Sequence, residues 1–242
     1  MNSHNNPLAN QPSMLKTVSI ATKENFDPKG YLELNPDLMI AFGLDFEKAY
    51  QHLPKYGLTE SRYQLNHSAI IEARKNKLKK FRDVLDLAMF HEVHDCGTYN
   101  FLSPNIKEQF RVFDTTNISS NMYHYEGLEH KEDCLILDCG AGFRNDYFSN
   151  ILYFEIVNYL STDVIGVGEQ LPFKDNSFDA IFSYAVLNML QTPSNVQKRL
   201  FVYVNPVDLY IVGLFSCNLI TVIHHIILTL HLAEQDYSLT QI

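Results

Sequence analysis

The sequence predicts an α/β fold built on a parallel sheet, and two apolar stretches carry that prediction. The first, Leu135–Leu137, leads into Asp138 and then into Gly140 and Gly142. An apolar run that ends in an acid and two alternate glycines is typical of a buried strand followed by a tight turn. The second stretch, Ile151–Val157, predicts the next strand. Asp138 would therefore lie at the carboxyl end of its strand, where open α/β sheets bind ligands.

Composition and turn signals divide the chain into five segments. They are a disordered stretch over 1–24, a small helical module over 25–65, an amphipathic helix and connector over 66–130, the sheet with its first four strands over 131–191, and an atypical apolar tail over 192–242. Asn, Ser, Pro and Gln dominate the first segment, which has no apolar periodicity.

The helical module is predicted from its caps. Asp27 followed by Pro28 is typical of a helix start, and Asn35-Pro36-Asp37 ends that helix and begins another. Gly43 ends the second helix, and Asp45 begins a third. The pattern predicts a helical unit whose aromatic and leucine side chains pack on the next domain.

A basic amphipathic helix is predicted over 66–90. Its apolar stripe is Ile71, Leu78, Phe81, Leu85 and Met89. The remaining surface carries Arg74, Lys75, Lys77, Lys79, Lys80 and Arg82. We expect these basic side chains to be solvated, and contact with an anionic membrane surface is the alternative.

Composition excludes several classes of protein. A hydrophobic content of 46% and a charged content of 19% are typical of a globular chain, and the net charge of −9 argues against a nucleic-acid partner. The four cysteines show no Cys-x-x-Cys spacing, and the N terminus lacks the features of a secretory signal, which predicts a cytoplasmic protein. The run His91-x-x-His94-x-Cys96 has metal-ligand residue types but no second pair, so no metal site is predicted.

The stretch after the second strand carries a specific pattern. Leu171-Pro-Phe, Asp175, Ser177-Phe-Asp179 and Ala185-Val-Leu187 follow one another in order. Over Leu135–Leu190 the chain resembles class I S-adenosylmethionine-dependent methyltransferases of the type 11 kind. The resemblance implies a Rossmann-like sheet, S-adenosylmethionine as cofactor and methyl transfer to a small molecule or glycan. The helical module is similar to one placed ahead of bacterial glycan-related enzymes, which implies a polysaccharide setting.

The resemblance also implies a set of cofactor-binding residues. These are Asp138, Cys139, Gly140, Ala141 and Gly142 for the methionine end, Glu155 for the ribose, Gly168, Glu169 and Leu171 for the adenine, and Ser183 and Tyr184 on the methyl-transfer side. The structural alternatives are that Asp138 caps a following helix and that Glu155 is an exposed residue of an edge strand.

The chain departs from the family pattern at three places. Phe143-Arg144 replaces a third glycine, Val167 replaces an acid, and Asn188-Met189 replaces an acid–histidine pair. No catalytic residue is therefore predicted.

The tail has two explanations. From Leu209 to Ala233 it contains no Asp, Glu, Lys or Arg. It could anchor the chain in a membrane through 209–233, or it could arise from a frameshift, the explanation that we prefer. Shifting the reading frame can turn Asn205–Tyr210 into the Lys-Pro-Gly-Gly turn of the family, and the sheet would then be incomplete after its fourth strand.

Two other functions remain open at this point. One is a non-catalytic or membrane-associated remnant of a methyltransferase. The other is a dinucleotide-binding oxidoreductase, which the absence of Gly-x-Gly-x-x-Gly disfavours. The sequence predicts no oligomeric state.

Overall fold

The structure is a computed structural model that describes residues 14–109, 134–183, 210–215 and 219–222. Its helices are α1 (Pro28–Leu34), α2 (Pro36–Phe42), α3 (Phe46–His52), α4 (His67–Phe81) and α5 (Pro104–Gln109). Its strands are β1 (Met14–Lys16), β2 (Val18–Ile20), β3 (Tyr63–Leu65), β4 (Glu92–Val93), β5 (Tyr99–Asn100), β6 (Ile136–Cys139), β7 (Asp146–Phe148), β8 (Ile151–Glu155), β9 (Val164–Ile165), β10 (Ala180–Ser183), β11 (Tyr210–Phe215) and β12 (Leu219–Val222).

Eight of the described strands form one mixed sheet, in the order β12-β11-β10-β6-β8-β9-β5-β4. The six inner strands run parallel, and the two edge strands, β12 and β4, are antiparallel to their neighbours. Strands β6, β8 and β10 are almost entirely apolar and buried, as expected of parallel strands covered on both faces. The observed sheet with its helices fits the predicted α/β Rossmann-like class.

Alternate residues of these strands pack into two apolar clusters, one on each face of the sheet. Leu137, Leu152 and Ile181 belong to the first cluster. Their neighbours Ile136 and Ile151 belong to the second. Because side chains alternate along a strand, Asp138 projects from the face of Ile136, and Glu155 projects from the face of Ile151.

The connection from β6 to β8 contains no helix. Parallel strands are usually joined by a helical crossover, but here residues 140–150 form a turn followed by the short strand β7. β7 pairs with β1 from the start of the described chain. Asp138 therefore does not cap a following helix, and that alternative is wrong.

The prediction of disorder over 1–24 is wrong for residues 14–20. These residues form β1 and β2, which pair with β7 and β3. The partners lie far along the chain, so local composition did not reveal the pairing. Residues 1–13 lie outside the described part of the chain.

The caps predicted in the N-terminal segment are present. The Asp27 carboxylate accepts a hydrogen bond from the Gly30 amide at 3.0 Å and from the Ser68 amide, at the start of α4, at 3.0 Å. Asp27 therefore joins α1 to α4. Gly43, with a φ of 60°, ends α2, and Asp45 begins α3. The three helices share a core that includes Tyr31, Leu32, Leu38, Ala49 and Leu53.

The predicted solvated face of the basic helix is wrong for two of its residues. Helix α4 ends at Phe81, and Arg74 and Lys77 on it are buried. The Lys77 ammonium donates to the Asp163 carboxylate and to the Ile151 carbonyl, each at 2.7 Å. Its pKa is lowered to about 8 by burial, against the opposing attraction of Asp163. The prediction of a solvated Lys77 fails because Asp163, 86 residues away in the chain, supplies the charge partner that a buried lysine requires.

The predicted connector contributes strands to the sheet. β4 and β5 form a hairpin, and β5 lies parallel to β9. Residues 110–133, which include the rest of the predicted connector, lie outside the described residues.

The tail also contributes strands. β11 lies parallel to β10, on the side away from β6, and β12 pairs with β11. These ten residues extend the sheet beyond the four strands that were expected before residue 191. They lie within 209–233, the stretch that was considered as a membrane anchor. The remainder of 192–242 is outside the described residues, so the frameshift stays a prediction. Within the described ranges, no helix combines the length and apolar character that crossing a membrane requires.

Candidate functional site

The candidate site lies at the carboxyl ends of the parallel strands. From β6 the sheet continues through β8 and β9 on one side and through β10 on the other. The strand order therefore reverses beside β6, and Asp138 pairs in register with Phe182 of β10 and Tyr153 of β8. In open α/β sheets the crevice at such a reversal is the usual place for a ligand.

A glycine turn follows β6. Gly140 and Gly142 have φ values of 76° and 63°, which side chains with a Cβ rarely adopt. The amides of Gly140 and Ala141 both donate to the Phe154 carbonyl of β8, at 2.9 and 3.2 Å. The turn is therefore folded back on the neighbouring strand, and both glycines are needed for that backbone path.

Asp138 forms a buried ion pair with Arg144. The guanidinium lies on one carboxylate oxygen, with Nε at 2.8 Å and Nη2 at 2.5 Å from Oδ2. Both side chains are almost completely excluded from solvent. The sequence singled out Arg144 only as a departure from the family pattern, and the fold makes it the charge partner of the predicted site acid.

Arg144 is also held through its backbone. Its amide donates to the Ser161 hydroxyl at 3.0 Å, and the Ser161 hydroxyl lies 3.4 Å from the Gly142 carbonyl. Sequence reasoning missed Ser161. No local signal identifies it, because its contact is made across 17 residues.

Glu155 joins the glycine turn to the end of β8. Its Oε2 accepts from the Gly142 amide and its Oε1 from the Ile156 amide, each at 2.7 Å. Burial raises the pKa of this carboxyl above its ordinary value, although the backbone donors oppose the shift. Its strand lies between β6 and β9, so the alternative of an exposed residue on an edge strand is wrong. Each carboxylate oxygen has a second lone pair, so the group can accept further bonds from a ligand.

The predicted adenine segment follows β9. Gly168 is buried in a short 3₁₀ turn over Gly168–Gln170, and Glu169 is half-buried. The Leu171 side chain packs in the core cluster on one face of the sheet. Of these three residues, Glu169 alone has a partly accessible side chain.

Ser183 ends β10. Its side chain is buried, and its hydroxyl makes no hydrogen bond to any residue that the structure describes. A buried polar group without a partner requires an explanation, and a functional role is one of the usual ones. Tyr184, the next predicted site residue, lies outside the described residues.

The remaining predicted site residue, Cys139, faces the core. It belongs to the apolar cluster that contains Leu137, and burial raises the pKa of its thiol. The thiol therefore stays protonated and unreactive.

The histidine-rich stretch makes ordinary side-chain contacts. The His94 ring lies 3.4 Å from the Glu92 carboxylate, and the His91 ring stacks on Tyr99. Over the described ranges, no three His, Cys, Asp or Glu side chains are grouped in a way that could hold a metal ion.

The fold thus assembles one hydrogen-bonded unit from the predicted residues. Asp138, the Gly140–Gly142 turn and Glu155 form it, with Arg144 and Ser161 added. The adenine segment follows β9, which lies two strands from β6 in the sheet. Ser183 ends β10, which borders β6 on the other side.

Comparison with known proteins gives one family. Residues 137–206 match the family model described as a methyltransferase domain. Searches of curated proteins and of solved structures each return no match. The matched segment begins in β6 and includes the glycine turn, Glu155, the adenine segment and Ser183. The match supports a class I methyltransferase domain in this part of the chain.

Proposed function

We propose that the chain is an S-adenosylmethionine-dependent methyltransferase that acts on a small molecule or a glycan. One observation carries the proposal. The glycine turn over 140–142 lies at the reversal of strand order, and it falls within the segment that matches a methyltransferase domain. The glycan alternative for the acceptor rests on the likeness of the N-terminal helical module alone.

The residues at the site fit the cofactor chemically. Asp138 and Arg144 are buried charges of opposite sign, which suit the ammonium and carboxylate groups of the methionine end. Glu155 offers carboxylate lone pairs for the ribose hydroxyls. The unpartnered Ser183 hydroxyl is a polar group that a ligand could satisfy.

The cofactor supplies a methyl group made electrophilic by its positive sulfur. The protein's part is to hold that group in line with the acceptor, and orientation of this kind can provide much of the rate enhancement. A general base is needed only when the acceptor must lose a proton. We assign none to the described residues.

The proposal includes a cytoplasmic location and no nucleic-acid partner. The net charge of −9 opposes binding to phosphate backbones. Cys96 and Cys139 are free thiols, which suits a reducing compartment.

Calorimetric titration with S-adenosylhomocysteine, the demethylated product, tests the proposal. We expect saturable binding by the wild type and at least tenfold weaker binding by Asp138→Asn, because the substitution removes one negative charge of the site but keeps the side chain's shape. Asp83→Asn is the matched control, since Asp83 is exposed and remote from the site in the chain. NAD is titrated in parallel.

The outcomes separate the candidate functions. No binding of S-adenosylhomocysteine by a folded wild type would contradict the proposal and leave a non-catalytic remnant. Binding of NAD instead would indicate an oxidoreductase. Because Asp138→Asn alters a buried ion pair, circular dichroism must show that it is folded. Ser183→Ala, which removes no hydrogen bond within the described part of the chain, provides a second variant of the site.

A further inference from the structure

We propose that Thr17, between β1 and β2, is a positioning residue of the candidate cofactor site. The proposal rests on the proposed function, since it assigns Thr17 a part in that same site. Thr17 is completely buried. Its hydroxyl donates to the Arg144 carbonyl at 2.7 Å and lies 3.1 Å from the Asn145 carbonyl. Its amide also donates to the Asn145 carbonyl, at 2.8 Å.

The contact matters because the connection from β6 to β8 lacks a helix. A helical crossover would fix its own backbone through hydrogen bonds between successive turns. Here the N-terminal segment supplies part of the support for residues 144–148. β1 pairs with β7 from Met14 to Lys16, Lys16 forms an ion pair with Asp146, and Thr17 continues the contact to Arg144.

The backbone of Arg144 determines where its guanidinium lies. The side chain reaches back over six residues to Asp138, and the Arg144 amide is tied to Ser161. Thr17 holds the carbonyl of the same residue. Ser161 and Thr17 thus fix the two sides of Arg144, and losing either contact frees the guanidinium to move away from Asp138.

Thr17 is itself anchored to the N-terminal unit. Its carbonyl accepts from the Asn66 amide at 2.9 Å, just before α4 begins. The Asn66 side chain donates to the Lys16 carbonyl at 2.8 Å. A continuous series of hydrogen bonds therefore links the start of α4 to the charge pair of the candidate site, and the N-terminal segment is part of that site's support.

The test compares Thr17→Val, which loses the hydroxyl but keeps the shape, with Thr17→Ser, which keeps the hydroxyl. Thr98→Val is the matched control. Thr98 is equally buried, and its hydroxyl also donates to a backbone carbonyl, that of Thr162. Two quantities are measured on the full chain: the NMR signal of the Arg144 Nε–H, assigned from its loss in Arg144→Lys, and the Kd for S-adenosylhomocysteine.

We expect Thr17→Val to shift the Arg144 Nε–H signal and to weaken binding roughly threefold to tenfold, the range that loss of one hydrogen bond gives. Thr17→Ser, which keeps the hydroxyl, should leave the Nε–H signal and the Kd close to those of the wild type. Thr98→Val should lose comparable stability and leave both unchanged.

Unchanged Nε–H signal and Kd in a folded Thr17→Val protein would overturn the proposal, and so would equal effects from Thr98→Val. Failure of the proposed function is distinguishable. If the wild type binds no S-adenosylhomocysteine, the Nε–H signal still decides whether Thr17 positions Arg144.

Discussion

Replacing Lys77 by methionine tests how α4 is attached to the sheet. The Lys77 ammonium and the Asp163 carboxylate are both fully buried and lie 2.7 Å apart. Removing one partner of a buried pair costs about 3–5 kcal/mol, because the other charge is left uncompensated. Arg74, whose Nε is 3.5 Å from Asp163, and the Tyr147 hydroxyl remain as partners. We therefore expect Lys77→Met to lower the free energy of unfolding by the smaller value of that range, about 3 kcal/mol. This is a large part of a typical stability of about 5–15 kcal/mol.

The assay is urea unfolding followed by circular dichroism. Lys80→Met is the matched control, because Lys80 is an exposed lysine on the same helix, and we expect its midpoint to stay near that of the wild type. Adding Asp163→Asn to Lys77→Met should not restore the wild-type midpoint, since the buried Arg74 guanidinium then loses the carboxylate that lies 3.5 Å from its Nε. A Lys77→Met midpoint close to that of Lys80→Met would refute the reasoning.

Three further predictions concern single residues. Ser183→Ala should raise the melting temperature of the free protein, because it removes a buried hydroxyl that has no partner among the described residues; the expected gain in stability is about 1 kcal/mol. The same variant should be stabilised less by S-adenosylhomocysteine than the wild type is. A lower melting temperature without ligand would contradict this reasoning. Gly30→Ala should destabilise the N-terminal unit, since its Cβ would lie 1.8 Å from the Leu65 carbonyl oxygen; unfolding at wild-type urea concentrations would argue against that close approach. Burial raises the pKa of Glu155 above 4.5, so the folded state keeps this proton when the unfolded chain loses it, and the stability due to Glu155 should fall as pH rises through 4.5. Glu155→Gln should remove that component of the pH dependence, and an unchanged profile would count against the shift.

The sequence predicted those parts of the fold that depend on local pattern. The apolar runs at β6 and β8 and the cap at Asp27 are each encoded within a few residues, and all are present. The glycine turn was predicted for the same reason, because only glycine readily takes the positive φ that Gly140 and Gly142 adopt.

The parts that were missed depend on distant partners. Residues 14–20 resemble a polar disordered segment until β3 and β7 supply hydrogen bonds. The sequence places Lys77 on a solvated face, whereas in the structure its ammonium is buried beside the Asp163 carboxylate. Arg144 was recognised only as a missing glycine, since nothing in its neighbourhood in the sequence shows that the chain bends back to Asp138.

Selective ¹⁵N-glycine labelling tests the central claim most directly. Gly140 and Gly142 lie in the proposed cofactor turn, whereas Gly43 and Gly97 also have positive φ but lie elsewhere, at the end of α2 and before β5. On addition of saturating S-adenosylhomocysteine, we predict that the amide signals of Gly140 and Gly142 shift while those of Gly43 and Gly97 stay in place. Unchanged Gly140 and Gly142 signals would contradict the assignment of this turn as the cofactor site.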